Sequence, residues 1–277
     1  MEINISKVDL EKSLTLAKEV AVLAGLEILK IYDSGVVEQR SKADNSPVTQ
    51  ADMAANKIIT DELTKKSLYQ ILSEEGAPKT LDPNETYWII DPMDGTKNFI
   101  KRDGEFSVML GLLHKGSPVL GVVYVPVTKK LFYATKGFGA YVLDDFSLTK
   151  KLHSNRGKKI ADCVALLSKN HLKPAETSFV ESLKIKNTKQ IGSCGIKLAA
   201  IASGEADLYA NMDGLSVWDI CGPAAILLEA GGSLYDKSGL PLNYTNQLRL
   251  TNGIIATNGD TNIDRQIKEK LQTHKHS

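Results

Sequence analysis

Trp88-Ile89-Ile90-Asp91-Pro92-Met93-Asp94-Gly95-Thr96 is where the chain changes character most abruptly. Three large apolar residues of a buried-type strand run straight into two carboxylates, a proline of fixed φ and a glycine turn. An isolated Asp-Gly makes an ordinary turn. These acids follow a core strand, so their charge must be met inside the protein, and a hard cation is the natural partner. Average residue usage gives the pattern from Asp91 to Thr96 a chance occurrence on the order of 10⁻⁴ in a chain of this length.

Other acids take up similar positions at the ends of predicted elements. Glu74-Glu75 closes a strand at 70–73, and Asp219 follows Trp218 at the start of an apolar helix. Asp52 lies in the first turn of another helix, where a carboxylate suits the helix dipole. Each alone is ordinarily a solvated turn or a cap. Together they are oxygen donors without histidine or thiolate, a set that suits Mg²⁺ rather than zinc. Mg²⁺ ions bridged by carboxylates point to phosphoryl chemistry. The five histidines show no ligand spacing, and the Walker A, Gly-x-Ser-x-Gly and His-Glu-x-x-His patterns are absent. Gly137-Phe138-Gly139 lies between strand-like runs and reads as a hairpin turn.

Leu14, Ala17, Ala21, Ala24, Ile28 and Ile31 recur at steps of three and four, predicting an amphipathic helix over 14–32. The stretch 36–47 lacks a period and reads as a loop into a second helix, with Ala51, Ala55, Ile58, Ile59 and Leu63 on its buried side. Strands are predicted at 69–72, 88–90, 107–113, 119–125, 131–133 and 140–143, mostly antiparallel. Beyond residue 146 strands and helices alternate: strands at 163–167, 189–191, 206–209, 232–235 and 253–257, helices at 174–183, 196–203, 220–230 and 263–271. The reading is an α+β unit over 1–146, holding metal and phosphate, and an α/β substrate unit over 147–277.

Of the 277 residues 42% are hydrophobic, which excludes disorder and a collagen-like chain. Lys and Arg number 34 against 33 Asp and Glu, a net charge of +1, so no global field attracts a nucleic acid or an anionic membrane. A small-molecule partner is expected. Cys163, Cys194 and Cys221 form neither an even framework nor a Cys-x-x-Cys pair, which argues against disulfides and structural zinc. Lys18, Glu19, Glu27 and Lys30 interrupt the apolar run at 14–32, excluding a signal-peptide core and a membrane span. The reading is a cytoplasmic protein with no integral membrane segment; a homodimer and a peripheral membrane contact stay compatible with it.

Glu74-Glu75, Asp91-Pro92-Met93-Asp94-Gly95-Thr96 and Trp218-Asp219, followed by Glu229-Ala230-Gly231-Gly232, resemble the lithium-sensitive, magnesium-dependent phosphomonoesterases of the inositol monophosphatase superfamily. The resemblance spans 14–258. It implies a layered αβαβα sandwich of the sugar-phosphatase type, with an antiparallel sheet in the N-terminal half and a mixed sheet in the C-terminal half. It also implies roughly two or three Mg²⁺ ions, held by Glu74, Asp91, the Met93 carbonyl, Asp94 and Asp219, with Asp52 completing a further position. The Gly95 and Thr96 backbone would hold phosphate. The Thr96 hydroxyl would orient the attacking water, and Glu74 or Asp52 would help deprotonate it.

Within the superfamily, the segments Ser41-Lys42-Ala43-Asp44-Asn45-Ser46-Pro47-Val48-Thr49 and Asp94 through Phe106 are similar to the bacterial 3'(2'),5'-bisphosphate nucleotidases of the CysQ branch. Lys97, Lys101 and Arg102 add positive charge that a second phosphate would use. Where that branch has Gly-Ser-Ser-Leu-Lys, this chain has Gly192-Ser193-Cys194-Gly195-Ile196-Lys197, a spacing nearer the inositol monophosphatases. By the resemblance, Ser193, Lys197 and Asp219 join Gly95, Thr96 and Lys97 at the substrate, with Lys197 near the 5'-phosphate. Asn211-Met212-Asp213-Gly214-Leu215 lacks the glutamate that inositol monophosphatases use on sugar hydroxyls. The implied activity is removal of the 3'-phosphate of adenosine 3',5'-bisphosphate, clearing a by-product of sulfate assimilation. The alternative is an inositol monophosphatase or a sugar phosphatase like fructose-1,6-bisphosphatase. A non-catalytic RNA- or protein-binding relative is disfavoured by the complete set of acids and the near-zero charge.

Overall fold

The computed structural model describes residues 5–36, 38–41, 47–76, 80–245 and 247–273. Helix α1 (Lys7–Ser34) begins where the Ser6 hydroxyl accepts the Asp9 N–H at 3.1 Å, and it ends at Gly35 in the left-handed conformation. Ala17, Ala21, Ala24 and Ile28 of the predicted stripe are buried. The stretch read as a loop contains two short strands, β1 (Gln39–Ser41) and β2 (Pro47–Thr49), which pair antiparallel. Strands of three residues show no alternation from which to read a period. Lys42, Asp44 and Asn45 lie outside the described residues.

Helix α2 (Gln50–Lys66) leads into β3 (Gln70–Ser73), β4 (Thr86–Asp94), the short helix α3 (Thr96–Lys101), β5 (Ser107–His114), β6 (Ser117–Val125), β7 (Lys130–Thr135), β8 (Gly139–Asp144) and β9 (Leu148–Lys151). Among the described residues β3 to β9 form a seven-stranded sheet in chain order, antiparallel except for the parallel pair β3 and β4. Helix α3 is too short to display a helical period, and β9 is exposed throughout, so neither has a sequence signature. Because β9 pairs with β8, the first sheet runs to Lys151, past the expected division at 146.

The second half comprises β10 (Val164–Ser168), α4 (Pro174–Ser182), β11 (Asn187–Ile191), α5 (Cys194–Ala202), β12 (Leu208–Asn211), β13 (Leu215–Ser216), α6 (Val217–Glu229), β14 (Ser233–Tyr235), β15 (Arg249–Leu250), β16 (Ile254–Thr257) and α7 (Thr261–Thr273). Five of these strands form a mixed sheet in the order β11-β10-β12-β16-β14, and β13 pairs with β15. β10 runs parallel to both its neighbours, whereas β16 is antiparallel to both of its own.

Three apolar layers hold the stack together. Ala21 and Ile59 of α1 and α2 pack with Trp88, Leu110 and Tyr124 on one face of the first sheet. Met109 and Val123 on its other face pack with Leu198, Ile220 and Ile226 of α5 and α6, and through them with Tyr209 and Ala256 of the second sheet. Phe179 and Ile267 of α4 and α7 close the far side over Leu167 and Ile255. The result is the expected αβαβα sandwich. Burial on both faces also explains why β5 reads as one apolar run.

Helix α6 lies directly on the first sheet. Gly111 and Gly121 face each other across β5 and β6, and a Cβ on Gly121 would stand 2.0 Å from the Gly222 carbonyl oxygen. This backbone contact sets the depth at which α6 brings Asp219 to the end of β4. The hairpin at Gly137 forms as expected, and its Gly137 and Gly139 amides each donate to the Glu229 carboxylate at 2.9 Å. The three cysteines are buried and unpaired, and no helix among the described residues is long and apolar enough to cross a membrane.

Candidate active site

On β4, Asp91 lies opposite Met109 of β5 and Asp94 opposite Ser107. Pro92 and Met93 therefore share one partner position, Val108, and β4 carries a bulge. Residues three apart in a regular strand point to opposite faces, and the inserted residue returns Asp94 to the side of Asp91. Pro92 suits the bulge because it has no N–H to lose from the ladder. Gly95 then turns at φ 100°, and a Cβ there would stand 2.7 Å from the Glu105 carbonyl oxygen.

The other acids arrive from three directions. β3 runs parallel to β4 with Ser73 beside Ile90, and the Glu74 N–H donates to the Ile90 carbonyl at 3.0 Å, which sets Glu74 beside Asp91. Asp52 and Asp219 each occupy the third position of a helix inside a capping box. Asp52 Oδ2 accepts both the N–H and the hydroxyl of Thr49 at 2.7 Å, and Asp219 Oδ2 accepts the Ser216 N–H at 2.7 Å. Each acid is thus a cap through one oxygen, with its other oxygen left for the site. Asp52 Oδ1 accepts the Thr96 hydroxyl at 3.0 Å.

Burial, followed by the charges of Glu74, Asp94 and Asp219, pushes the Asp91 carboxyl well above the usual range. Burial, then Asp94 and Glu74, pushes Asp219 up to about 8. Asp94 is raised by burial against the opposing pull of Lys197, the Ser193 hydroxyl and the Gly195 and Cys194 amides. Asp52 is raised by burial and further by the charge of Glu75, while Thr49 and Thr96 oppose. Acids that raise one another in this way are what a divalent cation stabilises. Among the described residues no three His, Cys, Asp or Glu side chains are grouped closely enough to hold an ion by themselves. Such an open all-oxygen set fits Mg²⁺, which keeps several waters and takes one or two carboxylates together with substrate oxygens.

Met93 places its side chain in the core, and its carbonyl lies 3.4 Å from the Thr96 hydroxyl. Two expected substrate residues sit behind the acids instead of in the open. Lys197 is 2% exposed, with Nζ donating to the Ile191 and Gly192 carbonyls at 3.2 and 3.0 Å and lying over the Tyr209 ring. Ser193 is fully buried: its hydroxyl donates to Asp94 Oδ2, accepts the Ile196 N–H at 3.1 Å and touches the Ser107 hydroxyl at 2.9 Å. Both support Asp94 from within. Lys97 is half-buried, Lys101 donates to Asn170, and Arg102 is turned away onto the Tyr32 carbonyl and ring.

Sequence reasoning missed Thr49, although Thr49-x-x-Asp52 is a capping-box pattern. Outside the residues read from the sequence, His171 stands exposed on the loop after β10. Burial and then the charges of Lys97, Lys197, Lys173 and Lys101 hold the His171 imidazole below its ordinary value.

Residues 9–276 match the inositol monophosphatase family. The chain belongs to the inositol monophosphatase family. It is 37% identical over 226 residues to a protein named 3'(2'),5'-bisphosphate nucleotidase CysQ from Salmonella typhimurium, covering 80% of this chain and 89% of that one. The Escherichia coli K12 protein of the same name is 35% identical over the same shares. Among solved structures, suhB from Bartonella henselae superposes with a TM-score of 0.80 at 28% identity, over 94% of this chain and 98% of that one. CysQ from Bacteroides thetaiotaomicron gives 0.75 at 32%, over 89% and 97%. The chain is a phosphatase of the inositol monophosphatase family, whose members generally depend on Mg²⁺ and act on small phosphate esters.

Proposed function

We propose that this phosphatase removes the 3'-phosphate of adenosine 3',5'-bisphosphate, giving AMP and phosphate. In this reading Glu74, Asp91, the Met93 carbonyl, Asp94 and Asp219 hold Mg²⁺. When bound, Mg²⁺ offsets charge on the phosphoryl and leaving oxygens and makes water more acidic.

The observation that carries the chemistry is the hydrogen bond from Thr96 to Asp52 beside those acids. With its proton committed to Asp52, the Thr96 oxygen accepts a hydrogen bond from a water and orients it. Thr49 fixes Asp52 from the other side, and the raised pKa of Asp52 makes it a stronger base than an exposed aspartate. A proton leaving that water passes through the Thr96 hydroxyl to Asp52 Oδ1. Asp52 Oδ2 is taken by Thr49 and Oδ1 by the Thr96 hydroxyl, so in this reading Asp52 acts through Thr96, and the further metal position also considered for it would need Oδ1 to give up that bond. The Gly95 and Thr96 backbone steadies the phosphoryl group.

The choice of a nucleotide bisphosphate is supported by the similarity to proteins named CysQ nucleotidases and by the cationic field at His171. A second phosphate near Lys97 and His171 would offset that field. An inositol monophosphate has no such group, although the spacing from Gly192 to Lys197 and the likeness to solved inositol monophosphatases favour it. The absence of paired thiols supports a reducing, cytoplasmic setting.

Phosphate release from adenosine 3',5'-bisphosphate, inositol 1-phosphate and fructose 1,6-bisphosphate, measured side by side with Mg²⁺, tests the reading. The nucleotide should have the highest kcat/KM, by about tenfold or more. Inositol 1-phosphate as the best substrate overturns the choice of substrate and leaves the chemistry standing.

A further inference from the structure

Asn98, on α3 two residues after Thr96, is 1% exposed, and the chemistry above makes no use of it. Its amide nitrogen donates to Asp103 Oδ2 at 2.9 Å, and its amide oxygen accepts from the Asn170 amide at 2.7 Å. Asn170 adjoins His171. From the same loop, Lys169 reaches Asp103 at 2.8 Å and Glu105 at 3.4 Å. Glu105 in turn accepts the Gly192 N–H at 2.8 Å, and the Lys169 N–H returns to the Ile191 carbonyl at 3.2 Å. Gly192 presses on Asn98 itself, since a Cβ there would stand 2.2 Å from the Asn98 amide nitrogen. The circuit closes between α3, the end of β10 and the end of β11.

Only a neutral amide meets the demands on Asn98. It must donate to a carboxylate on one side and accept from an amide on the other, and an aspartate would set a like charge against Asp103. Removing it would leave the Asn170 amide nitrogen without its acceptor, so the loop that carries His171 would lose its buried tie to the helix that begins at Thr96 and hang there on the flexible Lys101 side chain, which donates to Asn170 Oδ1.

We propose that Asn98 is a positioning residue for substrate specificity. Resting on the phosphatase reading above, it sets the distance between Thr96, at the reacting phosphate, and the loop from Lys169 to His171, at a second anionic group. A substrate carrying both groups then meets both ends without having to order the loop. A substrate with only the reacting phosphate uses one end and does not sense the link.

The test is a double-mutant cycle on the full chain saturated with Mg²⁺. Asn98→Ala, Asn170→Ala and the double variant are assayed on adenosine 3',5'-bisphosphate and on 3'-AMP. Each single change should raise KM for the bisphosphate about tenfold and leave kcat on 3'-AMP within about twofold, and the double variant should be no worse than either single. Equal losses on both substrates, or multiplicative losses in the double variant, overturn the proposal. If Asn98→Ala does not fold, Asn170→Ala in a Lys101→Met background decides, because Asn170 lies on a partly exposed loop and its other bond is to Lys101; a ratio between the substrates unshifted from that of Lys101→Met alone is contrary. A wild type inactive on both esters contradicts the nucleotide reading and this inference with it. An active wild type whose variants keep the substrate ratio contradicts this inference alone.

Discussion

The Thr96 hydroxyl donates to Asp52 Oδ1 at 3.0 Å across 44 residues of chain. This bond joins the first turn of α2 to the first residue of α3, and each partner is held by its own local structure. Thr49 fixes Asp52 through the helix cap, and the Gly95 turn fixes Thr96. The pair is therefore set in place before a substrate arrives.

If the pair relays a proton, Thr96→Val and Asp52→Asn should each lower kcat by about 10²–10⁴-fold. The double variant should be little worse than either single, because one path is lost once. Steady-state kinetics of the three variants check this, with thermal melts to confirm folding. Multiplicative losses would separate the two roles.

Glu75 tests the assignment of the neighbouring glutamate. Its charge raises Asp52, so Glu75→Gln should lower the Asp52 pKa and shift the acid limb of the kcat profile to lower pH, with near-normal activity at higher pH. Glu74→Gln should abolish most activity at every pH. Equal damage from the two changes would mean that the first glutamate has been wrongly given the metal.

Lys197→Met keeps most of the volume and removes the charge. Because Nζ is spent on two backbone carbonyls beneath the acids, the loss in kcat/KM should be the same on 3'-AMP and on adenosine 3',5'-bisphosphate. A loss confined to the bisphosphate would show that this lysine reaches the second phosphate after all.

The signature at Asp91 and Asp94 was legible because acids at the end of a strand of core residues need a partner for their charge inside the protein. The bulge that turns both acids to one side was not, since register depends on what β5 presents opposite. Asp52 and Asp219 could be read only as acids in first helical turns; Thr49 and Ser216, three residues before them, carried the further signal that they are capping-box partners. Lys197 was read by resemblance as a cation near the 5'-phosphate, and the further signal that its side chain is buried lay in its neighbours Ile196, Leu198 and Ala199, which belong to a helix apolar all round. The tie between Asn98 and Asn170 joins helix α3 to a loop 72 residues further along the chain and leaves no local pattern.

Raised carboxylates also dictate how stability follows pH. Asp219 titrates near 8 in the fold against an ordinary 3.8, so between these values the folded state holds the extra proton. Metal-free stability therefore falls as pH rises through this window, and Mg²⁺ should restore it most at the upper end. Melting temperatures in EDTA should drop between pH 6 and pH 8, and the gain on adding Mg²⁺ should be larger at pH 8. A larger gain at pH 6 would contradict the assignment of these acids.

Phosphate release from adenosine 3',5'-bisphosphate, followed as EDTA is added and then titrated back with Mg²⁺, tests the account most directly. Activity should vanish in chelator and return with Mg²⁺, and Asp94→Asn, with its fold retained, should lose most of it. Full activity in excess EDTA would contradict the account at its centre.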